Sequence, residues 1–298
     1  MSRYGIIDLG SNTIRLCIYE VDRSQHRPLQ KKDIDTLLNY KVMAGLASHV
    51  KDGAMTDAGV QKAIKTINAH LKRASHFSCE RIDIFATAVL RNCTNSHEAT
   101  AFIEAGIGKR ISILSNEEEA HLGFLGARRD RDLQAGTMVD IGGGSTELTH
   151  IEDGLDLDKI SIPQGSLSSF ATCVAGLMPT AKEMAEIRDR FKGLADQMCP
   201  EAFTSEQLYG IGGSIRSAAK VYGDLCNEGD RFDYLTPEHL DAILALYEDD
   251  PDRFAHRALR TVPDRIHTFI PGCIIIREVF DLCQGSRLDL SLIHISEP

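Results

Sequence analysis

No hydrophobic run in this chain approaches the roughly 18 residues that a membrane-crossing helix needs. The longest apolar stretch, Phe269 to Ile276, is interrupted by Pro271 and Gly272, so no membrane insertion is expected. The opening MSRYGIIDLG lacks the apolar core of a secretion signal and runs straight into strand-like sequence, which makes a cytoplasmic location the expectation. C-x-x-C pairs are absent, and the eight cysteines follow no zinc spacing. They are expected to be reduced and mostly buried. A basic excess is lacking too: Lys and Arg total 33 against 43 Asp and Glu, a formal charge of −10. Sequence-independent nucleic-acid binders are normally basic, so no nucleic-acid partner is expected. A polyanion would have to be held by local arginines, backbone amides or a metal against the overall field. The 11 histidines form no H-x-x-x-H pair, and no G-x-S-x-G elbow marks a serine hydrolase.

What is present reads as an ordinary soluble α/β chain. Its 298 residues are 43% hydrophobic and 26% charged, enough for a sizeable core and about two domains. Ile6 and Ile7 lead a strand to Asp8, Gly10-Ser11-Asn12 supply a turn, and Thr13 to Tyr19 reads as a returning strand. The pattern recurs with Thr137 to Ile141, the turn Gly142-Gly143-Gly144, and Ser145 to Ile151. Asp8 and Asp140 stand 132 residues apart, which marks two quasi-equivalent halves. Helices and strands alternate after each pair. One helix begins near Thr56, with Val60, Ile64, Ile67 and Leu71 on one side. Strands are expected over Arg81 to Ala86 and Ile111 to Leu114. Asn95 or Ser96 is expected to cap a helix ending by Gly106 or Gly108. Glu117 opens another towards Ala127, and the Arg128 to Asp132 charge run reads as a solvated loop. In the second half, Thr180 and Glu183 form a capping box, Leu208 to Ile211 is a strand, and Thr236-Pro237-Glu238 starts a helix. Alternation of this kind predicts layered α/β sheets.

Four motifs could carry chemistry. The paired Asp-x-Gly hairpins come first: glycines admit positive φ and let amides converge on an anion, and a strand-end Asp can hold Mg²⁺. Neither is a Walker loop, since no Gly-Lys-Ser/Thr follows, and neither is a dinucleotide fingerprint, since a strand follows. One such hairpin could be an ordinary turn, whereas two matching copies favour phosphate binding. Second, Gly210-Ile211-Gly212-Gly213-Ser214 puts Ser214 at a helix start, where amides and dipole favour an anion; taken alone, a plain capped helix explains it better. Third, Glu117-Glu118-Glu119 opens a helix, where carboxylates are ordinarily solvated and stabilised by the dipole, although one facing a phosphate could act as a base. Fourth, Thr87 and Arg91 follow a strand; Arg is the natural bidentate partner of phosphate, but a lone loop Arg is more often a surface ion pair.

In order along the chain, IIDLGSNTIRL (6–16), ATAVLRN (86–92), ILSNEEEAHLGFLGA (113–127), VDIGGGSTEL (139–148), GIGGSIRSAA (210–219) and PDRIHTFIPGCIII (263–276) together resemble the exopolyphosphatase and guanosine pentaphosphate phosphohydrolase family. The resemblance implies an α/β fold of two actin-like (ribonuclease H-like) domains, placed at 1–117 and 118–298, with a central interdomain cleft. It implies Mg²⁺-dependent hydrolysis of the terminal phosphate of inorganic polyphosphate, or of pppGpp to ppGpp on the same site. It implies Glu119 as the base that activates water, and Asp140 and Glu147 as carboxylates at the metal. Gly142, Gly143 and Ser145 are implied as the phosphate-gripping turn, with Asp8 and Ser11 as its first-half equivalent. Thr87 and Arg91 are implied to hold phosphates, Gly212, Gly213 and Ser214 to form the second helix-start loop, and Arg265 to be a basic position of the cleft. Arg216 and Lys220 are expected to add positive charge there. A homodimer is also implied. A kinase of the same superfold and a non-catalytic guanosine tetraphosphate sensor are the competing readings.

Three departures from the family pattern stand out. Asn116 replaces a Gly before the Glu run, His121 replaces an Arg after the Glu-Ala step, and Asn92-Cys93 replaces Asp-Ala. Arg287 to Ser291 reads as the last core strand. Leu292 to Pro298 then lacks the Gly-Leu-Arg-Glu-Gly segment and returning helix, so the native C-terminal segment is expected to be missing.

Overall fold

The computed structural model describes residues 1–24, 31–129, 131–198, 200–226 and 232–290. The chain divides after Glu119 into two compact units, each with its own sheet. The expected Leu292 to Pro298 tail, the end of the last strand at Ser291, and part of the 128–132 charge run lie outside the described residues.

In the first unit, β1 (Ser2–Leu9) and β2 (Thr13–Val21) form an antiparallel hairpin, and β3 (Ile34–Met43) extends it. Alternation decides which face is core. Ile7 and Leu9 of β1, with Ile14, Leu16 and Ile18 of β2, are fully buried, while Asp8 and Arg15 lie on the other face. A short ribbon, β4 (Val50–Lys51) with β5 (Ala54–Met55), precedes α1 (Asp57–Ala74). Thr56 caps α1 by accepting from the Gly59 amide, and Val60, Ala63 and Ile67 face the sheet. β6 (Arg81–Ala86) joins β1 in parallel, α2 (Ala88–Arg91) and α3 (Ser96–Ile107) follow, and β7 (Ser112–Ile113) closes the sheet in the order β3-β2-β1-β6-β7. The strand expected over Ile111 to Leu114 is thus only two residues long. Asn95 precedes α3 without capping it; its side chain instead bonds both backbone groups of Met55, pinning the ribbon.

Helix α4 (Asn116–Arg128) opens in the first unit and continues in the second. The second sheet repeats the first: β8 (Gly136–Ile141), β9 (Thr146–Glu152) and β10 (Leu155–Ile162) form the antiparallel trio. Then come α5 (Ser166–Cys173), α6 (Ala181–Ala195), β11 (Gln207–Ile211) and α7 (Gly213–Leu225). β12 (Tyr234–Leu235), α8 (Pro237–Asp249), α9 (Pro251–Thr261), α10 (Ile266–Cys283) and β13 (Arg287–Leu290) complete the unit. The order β10-β9-β8-β11-β13 matches that of the first unit, with β12 added at the edge. The two-part α/β class read from the sequence holds. The Phe269 to Ile276 stretch lies inside α10, buried on every side, so the run too short for a membrane is a core helix. Among the described residues, no helix is long and apolar enough to cross a membrane.

Candidate functional site

The two hairpin turns close alike. The Gly10 amide donates to the Thr13 carbonyl at 2.9 Å, and the Gly142 amide to the Ser145 carbonyl at 3.0 Å. The reason for glycine differs from the one the sequence suggested. None of Gly10, Gly142, Gly143 and Gly144 takes positive φ. Close approach is what disfavours a side chain: a Cβ on Gly10 would lie 3.2 Å from the Thr13 carbonyl, and one on Gly142 3.3 Å from that of Ser145, so the turn would have to give by a few tenths of an ångström.

Each turn is held from behind by the start of a short helix. The Ser11 carbonyl accepts from Ala47, and the Asn12 carbonyl from Ala44 and Gly45. In the second unit the Gly142 carbonyl accepts from Ser166, and that of Gly143 from Leu167 (2.9 Å) and Ser168 (2.8 Å). A trans peptide directs its C=O and N–H oppositely. Anchoring the Gly142 and Gly143 carbonyls on α5 therefore aims the amides of Gly143 and Gly144 away from it, as adjacent donors of the kind that cradle anions. Ser145 is buried beneath them. The contact with α5 is tight, since a Cβ on Gly165 would lie 2.6 Å from the Gly142 oxygen. Nothing in the sequence reading singled out 164–168; only the Gly-Ser helix start hinted at it.

The third loop faces this turn across neighbouring parallel strands, with Ile211 of β11 opposite Asp140 of β8. Gly212 has φ +90°, and a Cβ there would overlap Asp140 Oδ1, so both backbone and space demand glycine. The Asp140 carboxylate is thereby set against the start of α7. A Cβ on Gly213 would overlap the Arg265 guanidinium, whose carbon would be 2.6 Å away. Arg265 thus lies over this helix start, a pairing that the sequence reading, which gave it only as a basic position of the cleft, did not make. Ser214 is buried and donates to Ser166 Oγ at 3.3 Å. Arg216 and Lys220 lie further along α7.

The first unit gathers Asp8, Arg91 and Glu119. The three glutamates turn out to have separate tasks. Ser115 and Glu118 form a reciprocal cap at the start of α4, with Ser115 N to Glu118 Oε2 at 2.8 Å and Glu118 N to Ser115 Oγ at 3.1 Å. This S-x-x-E signal was present in the sequence and went unread. Glu117 is exposed. Glu119 alone turns inward, and its Oε2 accepts from Arg91 at 2.7 Å. The same Arg91 nitrogen donates to the Leu114 carbonyl at 2.8 Å, while Nε and the other terminal nitrogen are buried with no hydrogen-bond partner. A buried cationic donor left unsatisfied costs about 1–3 kcal/mol or more, which an incoming anion would recover. Arg91 is therefore no surface ion pair. Burial first, and then the Glu119 charge, push the Asp8 carboxyl up to about 6, against the pull of Arg15. Thr87 precedes α2, its amide reaching the Leu9 carbonyl at 3.4 Å and its own carbonyl starting the helix that carries Arg91.

For a metal, the decisive comparison is across each hairpin. Asp8 is opposite Arg15, whereas Asp140 is opposite Glu147. Directly opposed residues share a face with Cβ atoms about 5 Å apart. The first Asp therefore has a fixed cation beside it, and the second has another carboxylate. Glu147 is only 4% exposed and accepts from Ser161 Oγ at 2.9 Å. Two hard oxygen donors on one face fit Mg²⁺, which is usually held by one or two carboxylates plus substrate phosphates and keeps several waters. Among the described residues no group of three or more His, Cys, Asp or Glu side chains converges, so a complete protein cage is not formed. His121, at a family Arg position, still meets a carboxylate: its Nδ1 is hydrogen-bonded to Asp156 Oδ2 at 2.7 Å, and Lys159 pairs with the same oxygen at 3.0 Å. Burial alone would raise the Asp156 carboxyl, but these partners outweigh it and hold it low.

The Ppx/GppA phosphatase family profile matches residues 25–297. Exopolyphosphatase 1 of Mycobacterium tuberculosis is 29% identical over 190 residues, 63% of this chain and 53% of that protein. The guanosine-5'-triphosphate,3'-diphosphate pyrophosphatase of Pseudoalteromonas atlantica is 25% identical, covering 78% of this chain and 46% of its own. The chain thus spans about half the length of these curated relatives. An exopolyphosphatase crystal structure from Cytophaga hutchinsonii superposes with TM-score 0.80 at 18% identity over 97% of this chain and 94% of that one. The Aquifex aeolicus Ppx/GppA family member gives 0.74 at 19% identity, covering 97% and 93%. At these identities the solved structures establish the fold.

Proposed function

We propose that this chain, which belongs to the Ppx/GppA phosphatase family, hydrolyses the terminal phosphoanhydride of inorganic polyphosphate. The observation that carries the reading is the half-satisfied Arg91 bonded to Glu119. One guanidinium edge orients the carboxylate, and the remaining buried N–H groups have the geometry and charge to take phosphate oxygens. Glu119 Oε2 is engaged, so Oε1 is the atom assigned to accept the proton of water. The water oxygen bonds to the terminal phosphorus, the bridging P–O bond breaks, and orthophosphate leaves the shortened chain. Within the second unit, the Gly143 and Gly144 amides, the start of α7 and Arg265 are donors of the kind that hold phosphate oxygens. Asp140 and Glu147 would hold Mg²⁺, which when bound neutralises phosphate charge. Cleavage of pppGpp is the alternative, supported by the likeness to the Pseudoalteromonas guanosine-5'-triphosphate,3'-diphosphate pyrophosphatase.

The test is phosphate release from long-chain polyphosphate and from pppGpp, side by side with Mg²⁺. Glu119→Gln is expected to lower the rate by about 10²–10⁴-fold, the range of a general base. Glu118→Gln is expected to leave turnover unchanged while slightly lowering the melting temperature, because that carboxylate is spent on the cap. Release from pppGpp alone would move the assignment to the alarmone substrate. Binding of ppGpp without release from either substrate would favour the sensor. Equal losses from both Glu variants would refute the role given to Glu119. Phosphate freed without any acceptor excludes the kinase.

A further inference from the structure

Behind the 142–145 turn lies a buried hydroxyl chain. Ser166, 3% exposed, gives the Gly142 carbonyl two hydrogen bonds, from its amide at 3.0 Å and from its Oγ at 3.2 Å. Its Oγ also accepts from Ser214 Oγ at 3.3 Å. Each hydroxyl has one proton, so the chain runs in one direction: Ser214 to Ser166 to the Gly142 carbonyl. That carbonyl shares its peptide plane with the Gly143 amide, which points the other way. Donation into a carbonyl polarises the amide of the same peptide and strengthens it as a donor. Gly272 of α10 packs beside both serines: a Cβ there would lie 3.4 Å from Ser214 Cβ and 3.6 Å from Ser166 Cβ, ordinary van der Waals contact.

We propose that Ser166 is a positioning residue that ties the start of α7 to the glycine turn and fixes the direction of the Gly143 amide. The inference rests on reading that turn as a phosphate cradle. Ser166 contacts no substrate; it acts through Gly142 and Ser214. Its hydroxyl therefore sets anion affinity more than folding stability. Ser169 supplies the comparison. It is equally buried on the same helix, but its Oγ accepts from Gln164 Nε2 at 3.0 Å and does not reach the turn.

The experiment measures tripolyphosphate affinity by calorimetry with Mg²⁺ in the 298-residue Glu119→Gln chain, where turnover is suppressed. Adding Ser166→Ala is expected to weaken binding about fivefold, the worth of one net hydrogen bond. Ser169→Ala is expected to leave affinity unchanged. Ser214→Ala should weaken binding too, and the Ser166→Ala/Ser214→Ala pair should lose less than the product of the two single losses, because both break one chain. Equal affinity in Ser166→Ala and its parent would overturn the positioning role while leaving the phosphate reading intact. Multiplicative losses, or an equal loss from Ser169→Ala, would overturn it as well. Absence of tripolyphosphate binding in the parent would overturn the cradle reading and this inference with it.

Discussion

Replacing Gly165 with Ala should shift the 142–145 turn by steric force alone. Gly165 sits at φ −128°, ψ −176°, extended backbone that any residue adopts, so no conformational strain enters. Its new methyl group would instead lie 2.6 Å from the Gly142 oxygen, 2.7 Å from the Gly143 carbonyl carbon and 2.7 Å from the Ser145 nitrogen. These are main-chain atoms, so no side chain can swing aside, and each contact falls well short of van der Waals separation. Overpacking of this order costs roughly 1–3 kcal/mol. The lower entropy of the unfolded Ala chain offsets about 0.4–1 kcal/mol. The net loss is about 1.5 kcal/mol, or roughly 3–6 °C in Tm for a unit of this size. The same displacement turns the Gly143 and Gly144 amides, so polyphosphate turnover should fall more than the stability loss alone accounts for. Gly193→Ala is the control: it lies exposed within α6 with nothing within 4 Å of its added Cβ, and should raise stability by about 1 kcal/mol. Thermal unfolding and phosphate release are measured on both. A Gly165→Ala protein with wild-type Tm and turnover would refute the argument.

Asp8 gives a pH prediction. Its carboxyl titrates near 6 in the folded chain and near 3.8 when unfolded, so below about 4 it is neutral in both states. As pH rises through 6 the folded chain must carry a buried charge, and the stability present at low pH is lost. Asp8→Asn should therefore melt above the parent at pH 7.5, measured in chelator without phosphate, with the gap closing by pH 4; a gap independent of pH would refute this. Glu147→Gln keeps the buried volume and removes one of two opposed carboxylates. The Mg²⁺ concentration for half-maximal phosphate release should rise about tenfold, and an unchanged Mg²⁺ dependence would remove Glu147 from the metal.

Much of the fold was legible because burial follows local periodicity. The Thr56 and Thr180 caps, β6 and the paired hairpins all lie where the sequence reading put them. The site was legible only as residue types at turns. That Gly142 needs close approach and not positive φ depends on the Ser145 carbonyl folding back over it. That Asn95 leaves its helix uncapped depends on Met55, 40 residues earlier. The resemblance singled out Glu119 of three adjacent glutamates, but its partner Arg91 comes from another helix and follows from no local pattern. Ser166 drew no attention because its partners, Gly142 and Ser214, are distant in sequence.

The unlike partners of Asp8 and Asp140 have a consequence for how the molecule depends on its surroundings. Arg15 is a counterion built into the chain, always supplied at one copy per hairpin and indifferent to dilution. Across the second hairpin Asp140 is instead opposed by another carboxylate, Glu147. Two halves of one strand order thus carry unlike charge at equivalent positions, opposite signs across the first hairpin and two acidic side chains across the second. Under the proposed function, free cation concentration acts on the second hairpin and not on the first, independent of substrate supply.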